Sequence, residues 1–196
     1  MSTSRRFSHA IAEGDGISVV AAVEDPDAAR NAEAQRAEAL VVNGDPARLR
    51  EATRLPILWR ASAALDRAAE VADAVTVRLP EDEDDDHEPA RRLHEHALAA
   101  GLDCAVEVSS EEELERALEL LDPEIFLLVP AQDDERERLE AVLELLAEVP
   151  AGKLAIADLA VTTEDDVYEL ERAGVDAVIV HAADVSPLVG DAPPEV

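Results

Sequence analysis

The chain has 196 residues, enough for one well-buried domain and short for two. Its formal charge of −29, from 17 basic and 46 acidic residues, argues against nucleic acid and anionic membranes as partners, since both would be repelled. The hydrophobic share of 47% is Ala, Val and Leu with only 2% aromatic residues, which suits close helix-on-sheet packing, and the single Cys104 excludes an intrachain disulfide or a zinc-type cysteine cluster.

Lys153 is the sole lysine. An acidic, Lys-poor, Ala-rich surface is expected of a protein kept soluble in strong salt, where screening relieves self-repulsion, so a halophilic, acidic proteome is the expected setting. The opening MSTSRRFSHAIAEGDG has no apolar run of signal-peptide length, and nothing later approaches a membrane span, so a cytoplasmic location is expected.

Residues 1–16 read as a polar leader into a first strand at 17–23, ISVVAAV. Asp25-Pro26 then supplies an N-cap and a first-turn proline for a helix at 28–37. A second strand at 39–42 is followed by Asp45-Pro46, the same opening, and a short helix at 47–53. The third strand, 55–60, leads through Ser62 into an Ala-rich helix ending near Val71, and the fourth is 74–79, AVTVRL. The block 81–88, EDEDDDHE, reads as a solvated loop. Pro89 begins a helix stopped by Gly101. The fifth strand, 103–108, sets Cys104, Val106 and Val108 on one side and Ala105 and Glu107 on the other.

Ser110 and Glu113 have capping-box spacing, and Leu114, Ala117, Leu118 and Leu121 fall on one helical face. A sixth strand at 124–129 precedes a helix marked by Leu139, Val142, Leu143 and Leu146. The last unit is the most complete: a strand at 153–159, Thr162 and Thr163 as N-cap residues, Val167, Leu170 and Ala173 on one face, Gly174 as the stop, and a strand at 177–180.

Eight strands alternating with seven helices over short connections call for parallel strands with helical crossovers. An open doubly wound sheet fits the same order. A closed α/β (β/α)8 barrel fits better, because spacing is even and no Gly-rich phosphate loop follows the first strand. The expected architecture is one minimal TIM-barrel domain over 1–196, with a leader at 1–16 and a tail at 185–196. That tail, VSPLVGDAPPEV, leaves the eighth helix short or missing. The exposed wall would then be covered by the leader, by a short turn around 187–189, or by a second copy in a homodimer.

Four stretches carry a family resemblance: GISVVAAV (16–23), LREATRLPILWRAS (49–62), GLDCAVEVSSEEELERALE (101–119) and TTEDDVYELERAGVDAVIV (162–180). In their order, over roughly 5–190, the chain resembles indole-3-glycerol phosphate synthase, a ribulose-phosphate-binding barrel. The resemblance implies two lysines, several glutamates, an Asn and a Ser at the barrel mouth, and a Gly-rich phosphate cradle after the last two strands. Placed residue by residue, the first-strand Glu-x-Lys falls on Ala22 and Glu24, and the third-strand general-acid lysine on Arg60. The fifth-strand glutamate is kept as Glu107, while the sixth-strand Asn and Arg have no counterpart in 129–132. The seventh-strand Glu-Ser-Gly becomes Asp158, Leu159 and Ala160, and the eighth-strand Gly-x-Ser becomes His181, Ala182 and Ala183. Arg stays protonated where Lys would titrate, and a Cβ obstructs backbone approach to phosphate. The resemblance thus implies a pseudoenzyme that binds a small anion or a protein. The alternative it leaves open is an active synthase, or a related carbon–carbon lyase or isomerase, working with substituted residues.

In such a barrel the working face lies at the C-terminal strand ends. Polar residues expected there are Glu24, Asn43, Arg60, Arg78, Glu107, Gln132, Asp158 and His181. Glu107, Arg60 and Asp158 are the candidate catalytic groups. Glu24, Arg78 and His181 are the candidate ligand-binding groups, for a phosphorylated or carboxylated metabolite. Glu107 with His181 is a candidate base and orienting partner. Against these stands a salt-bridged polar layer that binds nothing, which is weighed ahead of both ligand binding and catalysis. Trp59 is read as packing and Cys104 as core. His87, His94 and His96 are close in sequence, but His94 and His96 lie two apart on a helix and face different ways, so neither a metal nor a cofactor is expected.

Overall fold

The computed structural model describes residues 6–12, 16–60, 65–80, 86–161, 163–181 and 184–188. Strands β1 (Ser18–Ala22), β2 (Ala39–Val42), β3 (Ile57–Trp59), β4 (Ala74–Arg78), β5 (Asp103–Val108), β6 (Ile125–Leu128), β7 (Leu154–Asp158) and β8 (Ala177–Val180) follow one another in parallel, and β8 closes onto β1. Helices α2 (Pro26–Ala34), α3 (Ala47–Ala52), α4 (Leu65–Val71), α5 (Glu88–Ala99), α6 (Glu111–Leu120), α7 (Glu135–Glu148) and α8 (Glu164–Ala173) separate the strands. The molecule is a closed (β/α)8 barrel.

Strand alternation divides the core in two. Outward residues such as Val19, Ala21, Trp59, Cys104, Val106, Phe126, Val178 and Val180 pack under the helices. Inward residues, among them Val20, Val41, Leu58, Ala105, Leu127, Ile156 and Ile179, fill the barrel. The inward set is small and branched, which lets eight strands close around it without an open pore.

The residues expected as a polar leader hold a helix. In α1 (Arg6–Ala12), Phe7 and Ile11 are one turn apart and buried, and they belong to the inward core. The Ser8 N–H donates to Asp103 Oδ2 at 2.8 Å, which ties this helix to the entry of β5. The helix closes the N-terminal end of the barrel and does not cover the wall.

The wall between β8 and β1 is met by the second expected means, a short turn. Val185 and Leu188 are buried against the outer core, and the Val185 N–H donates to Gln35 Oε1 at 2.8 Å, just past the end of α2. Val178 and Val180 beneath are fully buried. Among the described residues, Val185 and Leu188 thus lie over this stretch of wall. Residues 189–196, the acidic stretch 81–85, Ser62 and Thr162 lie outside the described residues.

Helix ends follow local chemistry. Asp25 caps α2 through the N–H groups of Asp27 and Ala28, but α2 stops at Ala34, short of the expected 37, because Arg36 takes a left-handed φ of 70°. Asp45 receives the Ala47 N–H while Pro46 occupies the cap position. Ser110 caps α6, yet the expected reciprocal arm is different: Glu113 accepts from the N–H and Oγ of Ser109, not from Ser110. The complete capping box is Thr163 with Asp166. Gly174, at φ 98°, ends α8 as expected.

A second device recurs at the strand entries. An acidic residue immediately before a strand binds a backbone N–H in the first two residues of the strand preceding it: Glu38 takes Val19, Asp73 takes Ile57, and Asp176 takes Ala155, at 2.8, 3.0 and 2.8 Å. Asp73 also pairs with Arg50 at 2.8 Å. The pattern is written in the sequence as AEAL, ADAV and VDAV, and it pins strands in pairs at the end of the barrel opposite the mouth.

Candidate functional site

At the C-terminal strand ends the inward series changes from aliphatic to charged. Leu58 is followed two residues on by Arg60, Thr76 by Arg78, Ala105 by Glu107, Ile156 by Asp158 and Ile179 by His181. Because a strand presents every second residue to the same side, the alternation that fills the barrel below delivers these five side chains to the mouth.

They form one continuous chain of ion pairs. Arg60 NH1 meets Asp158 Oδ2 at 2.5 Å, and its NH2 meets Glu107 Oε2 at 3.0 Å. Glu107 Oε1 lies 3.8 Å from Arg78 NH1, and Asp158 Oδ1 lies 2.7 Å from His181 Nε2. The order across the mouth is Arg78, Glu107, Arg60, Asp158, His181. The expected pairing of His181 with Glu107 is not made: Glu107 is taken by Arg60, and Asp158 from the neighbouring strand holds the imidazole. A carboxylate only accepts, so in the neutral ring Nε2 carries the hydrogen and Nδ1 the lone pair.

Burial tends to raise the Asp158 carboxyl, but the His181 hydrogen bond and the Arg60 charge outweigh it and hold the group below the ordinary aspartate range. Burial tends likewise to strip the Arg60 guanidinium of its proton; Asp158 and Glu107 overcome this and raise it further. Neither group is suited to proton transfer near neutrality. His181 is half exposed and oriented by the Asp158 carboxylate.

Other expected mouth residues stand apart. Glu24, Asn43 and Gln132 are exposed and outside the ion-pair chain. Ala182 and Ala183 lie outside the described residues. Trp59 points outward into the helix layer, as read, and its buried Nε1 has no hydrogen-bond partner among the described residues. Cys104 is core, its thiol pushed up to about 12 chiefly by burial. His94 is buried and His96 exposed, and among the described residues no group of three His, Cys, Asp or Glu side chains is placed to hold a metal. No helix among the described residues is long and apolar enough to cross a membrane.

Sequence reasoning passed over Arg138. Its guanidinium reaches from α7 to the Asp158 carbonyl at 3.3 Å and borders a groove of about 520 Å³ between α7 and α8. That groove is lined by α7, α8 and the segment after β7, whereas the smaller recess of about 220 Å³ is lined by Arg78 and Glu107 of the charged cluster. Arg138 sits next to Leu139 on the buried edge of its helix, and that adjacency was the available signal.

A closed parallel barrel with its charged groups collected at the C-terminal mouth defines the class: a (β/α)8 barrel of the kind that carries its sites there. No family model matches the chain. It is similar to the indole-3-glycerol phosphate synthase of Polaromonas naphthalenivorans, 39% identical over 89 residues, which is 44% of this chain and 34% of the relative. The corresponding figures are 34% identity over 89 residues for the Shouchella clausii synthase and 31% over 101 for that of a Geobacillus strain, covering 45% and 47% of this chain. The match spans 34–37% of the relatives' own length. The chain is a closed (β/α)8 barrel that over this part of its length is similar to indole-3-glycerol phosphate synthases.

Proposed function

We propose that this barrel is a pseudoenzyme: it does not perform the ring closure for which its relatives are named, and its mouth binds a small carboxylated or phosphorylated anion. The observation that carries the reading is the position of the one lysine. Lys153 precedes β7 at the end opposite the mouth, where Nζ is 2.6 Å from Asp122 Oδ1. The place of the general-acid lysine implied by the resemblance is held by Arg60, a group that does not titrate near neutrality, and both neighbouring carboxylates are committed to it. Without a titrating acid, the groups that stabilise the transition state together would no longer act as a unit. An anion would meet Arg78 and His181, the exposed ends of the ion-pair chain.

Assay of indoleglycerol phosphate formation at high salt is expected to give no turnover above background. Robust turnover abolished by Glu107→Gln would overturn the proposal. That outcome would favour a second reading, an active synthase or related lyase with substituted residues, which is supported by the identity to named synthases and by the oriented His181–Asp158 pair. Titration with inorganic phosphate and acetate, followed by amide shifts at the strand ends, tests the binding half. Absence of any shift would leave a protein-interaction role.

A further inference from the structure

The groove between α7 and α8, about 520 Å³, has the size of a ligand cleft, which runs from roughly 300 to 1,000 Å³. Its apolar face is made by Leu139 and Leu143 of α7 and by Leu159 and Val161 after β7. Arg138 borders the same groove and is half-buried. An arginine side chain carries five N–H donors. The hydrogen bond that Arg138 makes among the described residues is the long contact to the Asp158 carbonyl, 3.3 Å. Its Nε is buried with no hydrogen-bond partner among them. Leaving a buried donor unpaired costs more than an ordinary hydrogen bond contributes, so the groove calls for an acceptor.

The carboxylates around Arg138 do not supply it. Asp134 accepts from the Arg136 and Glu137 N–H groups, Asp166 closes the capping box with Thr163, and Glu140 pairs with Arg136. Glu135 and Glu169 line the groove too, exposed and without a hydrogen bond or ion pair among the described residues. A simple anion would satisfy Nε but set its charge against that acidic rim, whereas an uncharged carbonyl would not. We propose that the groove seats a short extended segment of a partner protein. A backbone carbonyl of the segment accepts from Arg138 Nε, a leucine-sized side chain lies on the Leu139, Leu143 and Val161 face, and flanking Lys or Arg side chains meet Glu135 and Glu169. The segment is extended because a helix uses its carbonyls internally. A second copy of this chain does not fit, since each copy carries −29.

The test is an NMR titration of the whole chain in about 1 M potassium chloride, where screening within roughly 3 Å suppresses diffuse attraction to the acidic surface. Acetyl-Lys-Leu-Lys-amide is expected to move the Leu143, Ala160 and Val161 amides, and acetyl-Glu-Leu-Glu-amide to bind at least ~10-fold more weakly. Arg138→Met, which keeps the aliphatic stem and removes the donors, is expected to lower the affinity for the cationic peptide about 10-fold. Glu169→Gln is expected to lower it severalfold, with circular dichroism confirming the fold of both variants. Shifts scattered over the surface, or an affinity unchanged by Arg138→Met or by Glu169→Gln, overturn the proposal. Inorganic phosphate moving the same amides in place of the peptide would make the groove an anion site and overturn it as well.

Discussion

Asp158 joins the two halves of the mouth, one carboxylate oxygen on Arg60 and the other on His181. Asp158→Asn leaves Arg60 and His181 each short of a charged acceptor at a site where the aspartate side chain is 7% exposed and the arginine 17%. The expected loss is on the order of 2 kcal/mol in urea denaturation, because Arg60, still paired with Glu107, loses its second charged acceptor. The pH dependence has a definite sign. A carboxyl held below its ordinary value contributes stability that is present above the unfolded-state value, 3.8, and lost as pH falls through the folded value. The unfolding free energy of the native chain is therefore expected to fall more steeply below about pH 4 than that of Asp158→Asn. Parallel slopes for the two proteins would remove Asp158 from this role. Its position at the mouth was legible because strand alternation is a local property. Its choice of His181 was not, because that depends on which neighbouring strand end comes nearer.

At the scale of elements, α1 carries an energy that its length does not suggest. Phe7 is fully buried at the N-terminal end of the barrel, and Phe7→Ala is expected to cost about 3 kcal/mol, read as a lower urea midpoint at unchanged slope. A loss under about 1 kcal/mol would mean that the helix is not a plug. Asp73 serves the Ile57 N–H and Arg50 together, so Asp73→Ala is expected to destabilise by about 2 kcal/mol. The bounds of β5 and β8 were legible to the residue, since Gly101 and Gly174 punctuate the chain just before them. The helix at 6–12 was not: seven residues with two apolar positions one turn apart are too little periodicity to separate from a polar leader.

The whole molecule carries its −29 charge on a core of small side chains. Self-repulsion is screened over roughly 10 Å at 0.1 M salt and 3 Å at 1 M. Thermal unfolding midpoints are therefore expected to rise substantially as potassium chloride goes from 0.1 to 2 M. A flat response would remove the salt-adapted reading of the surface. Closure of the wall by Val185 and Leu188 gives a further expectation: Val185→Asp uncovers Val178 and Val180 and turns a concentration-independent sedimentation profile into an associating one.

The sequence by itself determined the closed barrel, because period-two strands, capped helices and short parallel connections are local rules that agree along the chain. It also placed Arg60, Arg78, Glu107, Asp158 and His181 at the mouth, since alternation assigns each one a side, but not Glu24, Asn43 and Gln132, which stand outside the ion-pair chain. Only the tertiary structure decided that Arg60 binds both carboxylates, that α1 plugs the far end, and that a turn at 186–188 packs on the wall after β8. Those are contacts between segments far apart in sequence, fixed by barrel closure and by the distances it sets, and no local pattern encodes them.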